Sequence, residues 1–372
     1  MTTMDKIFDI VAEEIGIERD ELADDAEFAE LGVDTFLAKC IVTRILKETK
    51  IILPTTAFTD YPTADDLQAY LATLPITPLV PIKIRGAPPC PASPAFVSSG
   101  PLSFVLQGKQ QTCTKTLFLL PDGSGSGMAY ARLPILDPSV CLIALNSPYL
   151  KAPTSTIFTV EGVAAQWAAE IQSRQPHGPY QLGGWSAGGY YSFEVAKCLM
   201  RKGERVEKLV LIDSPCRLDF EALPMEVVQY LSTNNLMGNW GNKHPPEWMV
   251  NHFDISIRAI QRYMPTPIRG NQVPDVCLIW AGEGVLKNGD RRPSPAEVDM
   301  GVKITKMLLE RPTTVGAQGW DKLFPGKRLE VASMPGNHFT MVYPPNCASL
   351  SSLLADSVRD RKRDRRNRWT MV

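Results

Sequence analysis

A serine between two glycines has the setting in this chain that most favours covalent chemistry. Ser186 lies in the sequence 184–188, Gly-Trp-Ser-Ala-Gly, after the strand-like run 180–184 and before a run with apolar residues at helical spacing. A G-x-S-x-G motif between a strand and a helix is typical of a nucleophile elbow, which projects the serine hydroxyl into a cleft. Gly-rich turns without catalytic function also match this motif. Ser186 is therefore a candidate nucleophile whose role depends on partner residues.

A serine hydroxyl needs a histidine base to act as a nucleophile at neutral pH, and the chain has four histidines. His338 follows the strand-like run 329–334 and a Pro-Gly pair, so we expect it on a loop late in the chain. A nucleophile followed much later by the histidine is the order of α/β-hydrolases. His338 is the predicted base, whereas His177 is typical of a turn, and His244 and His252 fall in an aromatic-rich segment.

The third partner is a carboxylate that orients the histidine, and two residues are candidates. Asp213 ends the largely apolar run 208–212, and Glu283 follows the next such run, 276–281. The carboxyl ends of parallel strands are where α/β proteins place functional groups. The residues favour Asp213 without deciding between the two, since either carboxylate also fits a helix cap or a loop.

The segment 121–127, Pro-Asp-Gly-Ser-Gly-Ser-Gly, follows another strand-like run. Glycines let backbone N–H groups turn inward, and such groups stabilise the oxyanion of a tetrahedral intermediate. We expect the Ala187 N–H and an N–H of this segment to form an oxyanion hole, with Ser124 and Gly125 as the predicted donors. A phosphate-binding loop is the alternative, and the absence of a G-x-x-x-x-G-K-[ST] motif counts against it.

The segment from about residue 113 to about residue 358 resembles the thioesterase domain that terminates fungal non-reducing polyketide synthases. Three motifs carry the resemblance: Gly183-Gly184-Trp185-Ser186-Ala187-Gly188-Gly189, Leu211-Ile212-Asp213-Ser214-Pro215-Cys216 and Met334-Pro335-Gly336-Asn337-His338-Phe339. The resemblance implies an α/β-hydrolase fold with a catalytic Ser-His-Asp triad, and it selects Asp213 over Glu283 as the acid. It implies release of a thioester-bound acyl chain by hydrolysis, by Claisen cyclisation or by transfer to an alcohol, and the motifs do not distinguish these outcomes.

The N-terminal 74 residues have a different pattern, with helical periodicity in the runs 4–15, 37–49 and 63–74. This small all-α bundle resembles an acyl-carrier domain of the same synthases, and the match is closest over 30–37, Glu-Leu-Gly-Val-Asp-Thr-Phe-Leu. The family has a phosphopantetheine-bearing serine where this chain has Thr35. Because the β-methyl group of threonine stiffens and crowds the hydroxyl, we expect Thr35 to stay unmodified. The domain is then either a docking module or a remnant, and phosphopantetheine is expected on a partner carrier protein rather than on this chain.

Three further segments have distinct compositions. Residues 75–112 are rich in Pro, Ser and Gly and predict a linker. Residues 220–270 interrupt the strand-helix alternation and predict a lid over the active site, with aromatic residues for an acyl pocket. Residues 359–372 are mostly basic and predict a solvated, frayed tail.

Composition and charge indicate the class of protein and the cellular compartment. The chain has 372 residues, 44% of them hydrophobic, and a net charge of −1, which disfavours general nucleic-acid binding. Its eight cysteines lack C-x-x-C spacing, no metal site is predicted, and no apolar N-terminal run indicates a signal peptide or a membrane span. A reduced, cytoplasmic protein is the simplest interpretation.

The predicted function is a polyketide thioesterase that takes an acyl chain from a carrier domain of a polyketide synthase onto Ser186. Because no ketosynthase or acyltransferase sequence accompanies these domains, a natural chain of this length would act in trans, and an excised fragment would be the last two domains of a synthase. The alternative is an esterase or acyltransferase acting on a free small molecule. An interaction protein without catalysis is disfavoured, because Ser186, Asp213 and His338 are all present.

Overall fold

The periodic apolar residues of this chain build separate cores in two units, Met1–Ala95 and Phe96–Val372, in a computed structural model. Each unit is described by itself. The residues that the structure describes are 3–17, 19, 22–31, 33, 35–49, 51, 53–54, 56–72, 100–237, 246–270, 273–287, 289–312, 316–359 and 368–372.

The first unit is helical, as its periodicity predicts. Its helices are α1 (Thr3–Ile15), α2 (Thr35–Thr49), α3 (Ala57–Asp60) and α4 (Ala64–Ala72). Apolar residues from all four helices form one core, which includes Phe8, Ile41 and Leu67. Helix α4 begins with a reciprocal cap, because the Asp66 N–H donates to the Thr63 hydroxyl and the Thr63 N–H donates to the Asp66 carboxylate. The predicted all-α bundle is confirmed.

The second unit is built on one eight-stranded sheet. Its strands are β1 (Ser103–Gln107), β2 (Lys115–Leu120), β3 (Val140–Leu145), β4 (Tyr180–Trp185), β5 (Val206–Ile212), β6 (Asp275–Ala281), β7 (Glu330–Met334) and β8 (Thr370–Met371). Their order is β1-β3-β2-β4-β5-β6-β7-β8, and only the edge strands β1 and β8 run antiparallel to their neighbours. Because β3 lies on the outer side of β2 in this order, β2 is the direct neighbour of β4, and the ends of β2 and β4 lie next to each other. The elbow and the Gly-rich segment therefore emerge side by side.

Helices cover both faces of this sheet, so its central strands are buried on each side. Those helices are α5 (Val160–Arg174), α6 (Ala187–Arg201), α7 (Met225–Thr233), α8 (Glu247–Arg262), α9 (Lys303–Leu309) and α10 (Cys347–Val358). Phe118 and Leu120 of β2 share a core with α5 and α6. Leu117 and Leu119 share the opposite core with α10, because successive strand residues point to opposite faces. The predicted α/β fold with a parallel central sheet is confirmed.

Two predicted segment boundaries are wrong. The linker does not extend to residue 112, because β1 already pairs with β3 from Ser103 and the second unit begins at Phe96. The tail is not frayed throughout, because Trp369 is buried and Thr370–Met371 pairs with β7. Most of the predicted linker, and residues 360–367 of the tail, lie outside the described residues.

The predicted lid segment contains helices α7 and α8, which follow β5 and precede β6. Residues 238–245, between these two helices, lie outside the described residues. Within the part of the chain that the structure describes, every helix is too short or too polar to cross a membrane.

Candidate active site

The elbow is a tight turn between β4 and α6. Ser186 has φ 57° and ψ −123°, a conformation that is strained for a residue with a side chain, and α6 begins at the next residue. A Cβ on Gly184 would lie 2.2 Å from the Gly188 carbonyl oxygen, and a Cβ on Gly188 would lie 2.6 Å from the Leu120 carbonyl oxygen. Glycine at position 184 therefore lets the turn close, and glycine at position 188 lets α6 approach the end of β2.

Ser186, His338 and Asp213 form one hydrogen-bonded chain. The distance from Ser186 Oγ to His338 Nε2 is 3.1 Å, and the distance from His338 Nδ1 to Asp213 Oδ2 is 2.7 Å. Because a carboxylate only accepts, Nδ1 donates to Asp213, and Nε2 is left to accept from the serine hydroxyl. The imidazole packs against Trp185 and Phe339, with ring centroids 5.2 and 5.0 Å away. The arrangement has the geometry of a serine nucleophile with its base and orienting acid.

Asp213 is anchored by a residue that sequence reasoning missed. Arg311 lies at the end of α9 and donates to Asp213 Oδ2 at 2.6 Å, and the Ala281 N–H donates to Oδ1 at 3.0 Å. The aspartate and arginine side chains are 2% and 3% exposed. Burial alone would raise the pKa of Asp213, but the charge of Arg311 and the bond from His338 lower it to about 2. The acid is thus ionised at neutral pH.

Backbone strain concentrates at these residues. Five described residues other than glycine have positive φ, and three of them belong to this network: Ser186 (57°), Asp213 (46°) and Arg311 (53°). Such conformations cost free energy and persist where the surrounding structure enforces them, often at functional sites. The strain is independent support for a site at these strand ends.

The other predicted candidates lie elsewhere. Glu283 accepts a hydrogen bond from the Gly336 N–H at 3.0 Å, so it supports the loop before His338 without contacting the imidazole. His177 is exposed and lies 3.5 Å from Glu204. His244 lies outside the described residues. The structure therefore brings Asp213, and not Glu283, to the histidine.

The predicted oxyanion donors Ser124 and Gly125 are wrong. The Ser124 N–H donates to Asp122 Oδ1 at 3.3 Å, and the Gly125 N–H donates to the Asp122 carbonyl oxygen at 3.0 Å. Ala187 and Gly123 line the cleft beside Ser186, and their N–H groups have no acceptor among the described residues. The geometry supports Ala187 and Gly123 as the pair of donors; Ala187 was predicted, and Gly123 lies in the predicted turn although Ser124 and Gly125 were named.

Asp122 is a second buried carboxyl group at this edge of the sheet. It is 5% exposed, and its Oδ1 accepts from the Ser124 hydroxyl at 2.5 Å. Burial raises the pKa of Asp122 to about 6, against the opposing effects of the Ser124 bond and of His338. This carboxyl group therefore titrates near neutrality.

A cleft of about 680 Å³, including its open mouth, begins at Ser186 and His338. Its walls are largely apolar and come from helices α8 and α9 and from the segments after β2 and β5; they include Leu223, Phe253, Ile257, Ile260, Ile304 and Met307. The polar lining residues include Arg311, Asp213, Ser214 and Ser256. The shape and chemistry suit an extended apolar acyl group that presents its carbonyl to Ser186.

The aromatic and neighbouring residues of the predicted lid differ in whether their side chains line the cleft. Phe253 lines the cleft, and His252 and Tyr263 are buried. Met264 is exposed, and Trp240 lies outside the described residues. Helical spacing alone did not show which of these side chains would face the cleft.

Two domain families match the chain. Residues 115–222 match the thioesterase domain, and residues 5–71 match the phosphopantetheine attachment site. The chain therefore joins a carrier-type domain to a thioesterase domain of α/β-hydrolase fold. The expectation that this chain carries no phosphopantetheine consequently depends on Thr35 alone, which begins α2 and whose side chain lies outside the described residues.

The relatives place these domains in a larger context. The chain is 36% identical over 379 residues to the non-reducing polyketide synthase terA of Aspergillus terreus, covering 94% of this chain and 18% of that protein. It is 36% identical over 374 residues to the conidial yellow pigment biosynthesis polyketide synthase melA of Penicillium expansum, covering 96% and 17%. The chain is thus homologous to the C-terminal regions of fungal non-reducing polyketide synthases, and it spans less than a fifth of their length.

A solved structure has the same fold. The four-domain nonribosomal peptide synthetase holo-AB3403, bound to AMP and glycine, aligns with a TM-score of 0.57 at 19% identity, covering 97% of this chain and 27% of that one. At this identity the likeness concerns the fold alone.

Proposed function

We propose that this chain is a polyketide-releasing thioesterase, in which Ser186 accepts an acyl group from a carrier-bound thioester. The observation that carries the proposal is the hydrogen-bonded chain from Ser186 through His338 to Asp213, at the head of an apolar cleft. Homology to polyketide synthases supports a polyketide as the acyl group.

Acylation follows from this geometry. His338 Nε2 removes the Ser186 hydroxyl proton as Oγ attacks the thioester carbonyl, and Asp213 stabilises the imidazolium that forms. The N–H groups of Ala187 and Gly123 stabilise the oxyanion, at about 3 to 4 kcal/mol for each donor. Collapse of the tetrahedral intermediate breaks the C–S bond, and the imidazolium gives its proton to the departing thiol. The product is an acyl-Ser186 ester and a free thiol.

Deacylation uses the same residues with a new nucleophile. His338 removes a proton from water, from an alcohol or from an enol hydroxyl of the acyl chain, and the water oxygen, the alcohol oxygen or the enol carbon attacks the ester carbonyl. The imidazolium then returns a proton to Ser186 Oγ. Hydrolysis releases an acid, and the other two routes release a ring or an ester.

We also propose that Thr35 stays unmodified and that the substrate thioester is carried by another carrier domain. A hydroxyl at the start of α2 fits phosphopantetheine attachment in kind, but threonine places a methyl group beside the oxygen that a transferase must reach. Incubation with coenzyme A and a phosphopantetheinyl transferase should leave the mass of the wild-type chain unchanged. The variant Thr35→Ser should gain one phosphopantetheine, and an equal gain in both proteins would contradict the proposal.

The acyl-enzyme is tested by intact mass spectrometry. A polyketidyl thioester on a separate carrier protein should add the acyl mass to the wild-type chain and not to Ser186→Ala. Reaction in oxygen-18 water then identifies the acceptor, because only hydrolysis places the label in the product. Acylation by a soluble ester but never by a carrier-bound thioester would favour the alternative esterase or acyltransferase.

A further inference from the structure

A buried histidine of helix α8 contacts the segment that supplies one oxyanion donor. His252 is 1% exposed, and its Nδ1 lies 2.8 Å from the Gly123 carbonyl oxygen and 3.1 Å from Ser256 Oγ. Its Nε2 is buried and has no hydrogen-bond partner among the described residues. The side chain therefore makes its one strong polar contact with Gly123.

The carbonyl fixes the state of this imidazole. A carbonyl oxygen only accepts, so Nδ1 carries the proton and donates to Gly123, and Nε2 is bare. Burial lowers the pKa of His252 to about 4, with the Gly123 bond opposing the shift. The ring is thus a neutral donor of fixed tautomer at neutral pH.

Helix α8 contacts Gly123 on a second side. A Cβ on Gly123 would lie 2.7 Å from the Phe253 ring, and a Cβ on Gly125 would lie 2.4 Å from the His252 ring. The carbonyl bond restricts rotation about the Cα–C bond of Gly123, and the Phe253 ring restricts movement of its Cα. These two contacts fix the position of Gly123, which lines the cleft together with Ser186.

We propose that His252 is a positioning residue, which with Phe253 holds residue Gly123 in place, so that the Gly123 N–H, on the other side of the Cα from the bonded carbonyl, can donate to the oxyanion of the reaction at Ser186. The oxyanion hole is then complete only when α8 is seated on the segment 121–127. This inference deepens the proposed function and depends on it. Loss of the His252 contact should lower transition-state stabilisation while leaving binding of the acyl chain in the apolar cleft intact.

The test compares three variants of the full chain. His252→Leu removes the donor, His252→Gln offers an amide near the Nε2 position, and His252→Asn offers an amide N–H near the Nδ1 position. We expect kcat and affinity for a boronic acid analogue of the acyl group to fall roughly 10- to 100-fold in the Leu and Gln variants. KM and affinity for an unreactive amide analogue should change less than about threefold. His252→Asn should recover most of the loss.

Either of two results would overturn the proposal: wild-type boronate affinity in His252→Gln, or an Asn variant as impaired as the Gln variant. If the Leu variant fails to fold, the Gln and Asn pair still decides. Nitrogen-15 NMR of wild-type histidines gives a separate check, because His252 must be the neutral Nδ1–H tautomer at pH 6. Turnover that survives Ser186→Ala would refute the proposed function itself, whereas a Ser186-dependent reaction indifferent to His252 would refute only this inference.

Discussion

Two buried carboxyl groups at the same sheet edge have opposite electrostatics. Asp213 follows β5 and Asp122 follows β2, and both are at most 5% exposed. Burial raises the pKa of both, yet Asp213 is lowered to about 2 and Asp122 stays raised at about 6. The difference is Arg311, which ion-pairs with Asp213, while Asp122 has a serine hydroxyl as its closest side-chain partner.

This contrast shows that burial does not decide the charge of a catalytic-site carboxyl group; its neighbours do. An aspartate that stabilises an imidazolium must be an anion, and Arg311 keeps it one. Asp122 accepts hydrogen bonds within the turn that contains Gly123, and a carboxyl group can accept them whether it is neutral or ionised. Substitutions that remove one feature at a time can break or sharpen this contrast.

The largest effect should come from removing the negative charge of Asp213. Asp213→Asn keeps the shape but leaves His338 without a carboxylate to fix its tautomer, so kcat should fall about 10⁴-fold. Steady-state kinetics with the thioester measures this loss. Glu283→Gln is the matched control, because its amide oxygen still accepts from Gly336, and it should lose less than tenfold. A larger loss in the Glu283 variant would mean that the acid is misassigned.

The second largest effect should come from removing the positive charge of Arg311, and it should appear in the stability of the fold. Arg311→Met leaves Asp213 buried without its partner, so the free energy of unfolding near pH 7 should fall by about 3 to 5 kcal/mol. The pKa of Asp213 should rise in this variant, so the loss should shrink as the pH falls and the carboxyl group is protonated. Urea unfolding between pH 5 and pH 8 measures both effects. Arg292→Met, which breaks the exposed pair with Glu310, should cost at most about 1 kcal/mol.

Asp122→Asn should have the opposite pH dependence: its stability relative to the wild type should rise with pH, whereas that of Arg311→Met should fall. The folded-state pKa of Asp122, about 6, lies above its unfolded value, so the folded chain holds this proton longer. Wild-type stability should therefore fall as the pH rises from about 4 to about 6, and the asparagine variant should lack this part of the decline. The difference in free energy of unfolding between the variant and the wild type should therefore shift by roughly 1 to 3 kcal/mol in favour of the variant from pH 4 to pH 8. Parallel pH profiles for the two proteins would contradict the raised pKa.

The smallest effect should come from Ser124→Ala, which removes the hydroxyl donor to Asp122. The free energy of unfolding should fall by about 1 kcal/mol at pH 8, where the acceptor is charged, and by less at pH 4. A double-mutant cycle with Asp122→Asn isolates the pair, and the serine substitution should cost less in the asparagine background. An equal cost in both backgrounds would show that the hydroxyl does not act through Asp122.

Sequence patterns predicted the fold and most of the hydrogen-bonded network at Ser186, because these depend on local signals. Strand periodicity, the elbow glycines and the late position of His338 predicted Ser186 and His338, whereas the residues left Asp213 and Glu283 open and the family resemblance selected Asp213. The oxyanion turn was only half predicted. Which N–H groups remain free there depends on how Asp122 folds back onto Ser124 and Gly125, and composition does not show this.

Local sequence patterns could not predict contacts between residues that are far apart along the chain. Arg311 is 98 residues from Asp213 along the chain, and an arginine at a helix end ordinarily indicates a solvated residue. His252 was predicted only as part of an aromatic-rich segment, because its contact with Gly123 spans 129 residues. The edge strand β1 was taken for linker, since its five residues adjoin a Pro-rich segment and only Ser103 among them is fully buried.

The short strand β8 has a consequence for the solution behaviour of the protein. It pairs with the edge of β7 that would otherwise be exposed, and Val372 exchanges backbone hydrogen bonds with Leu329. Strand β7 leads into the loop that contains His338. Exposed strand edges recruit other chains, and natural sheets conceal them. Removing residues 368–372 would therefore free the backbone of β7 for pairing between molecules, so self-association would begin beside the loop of His338.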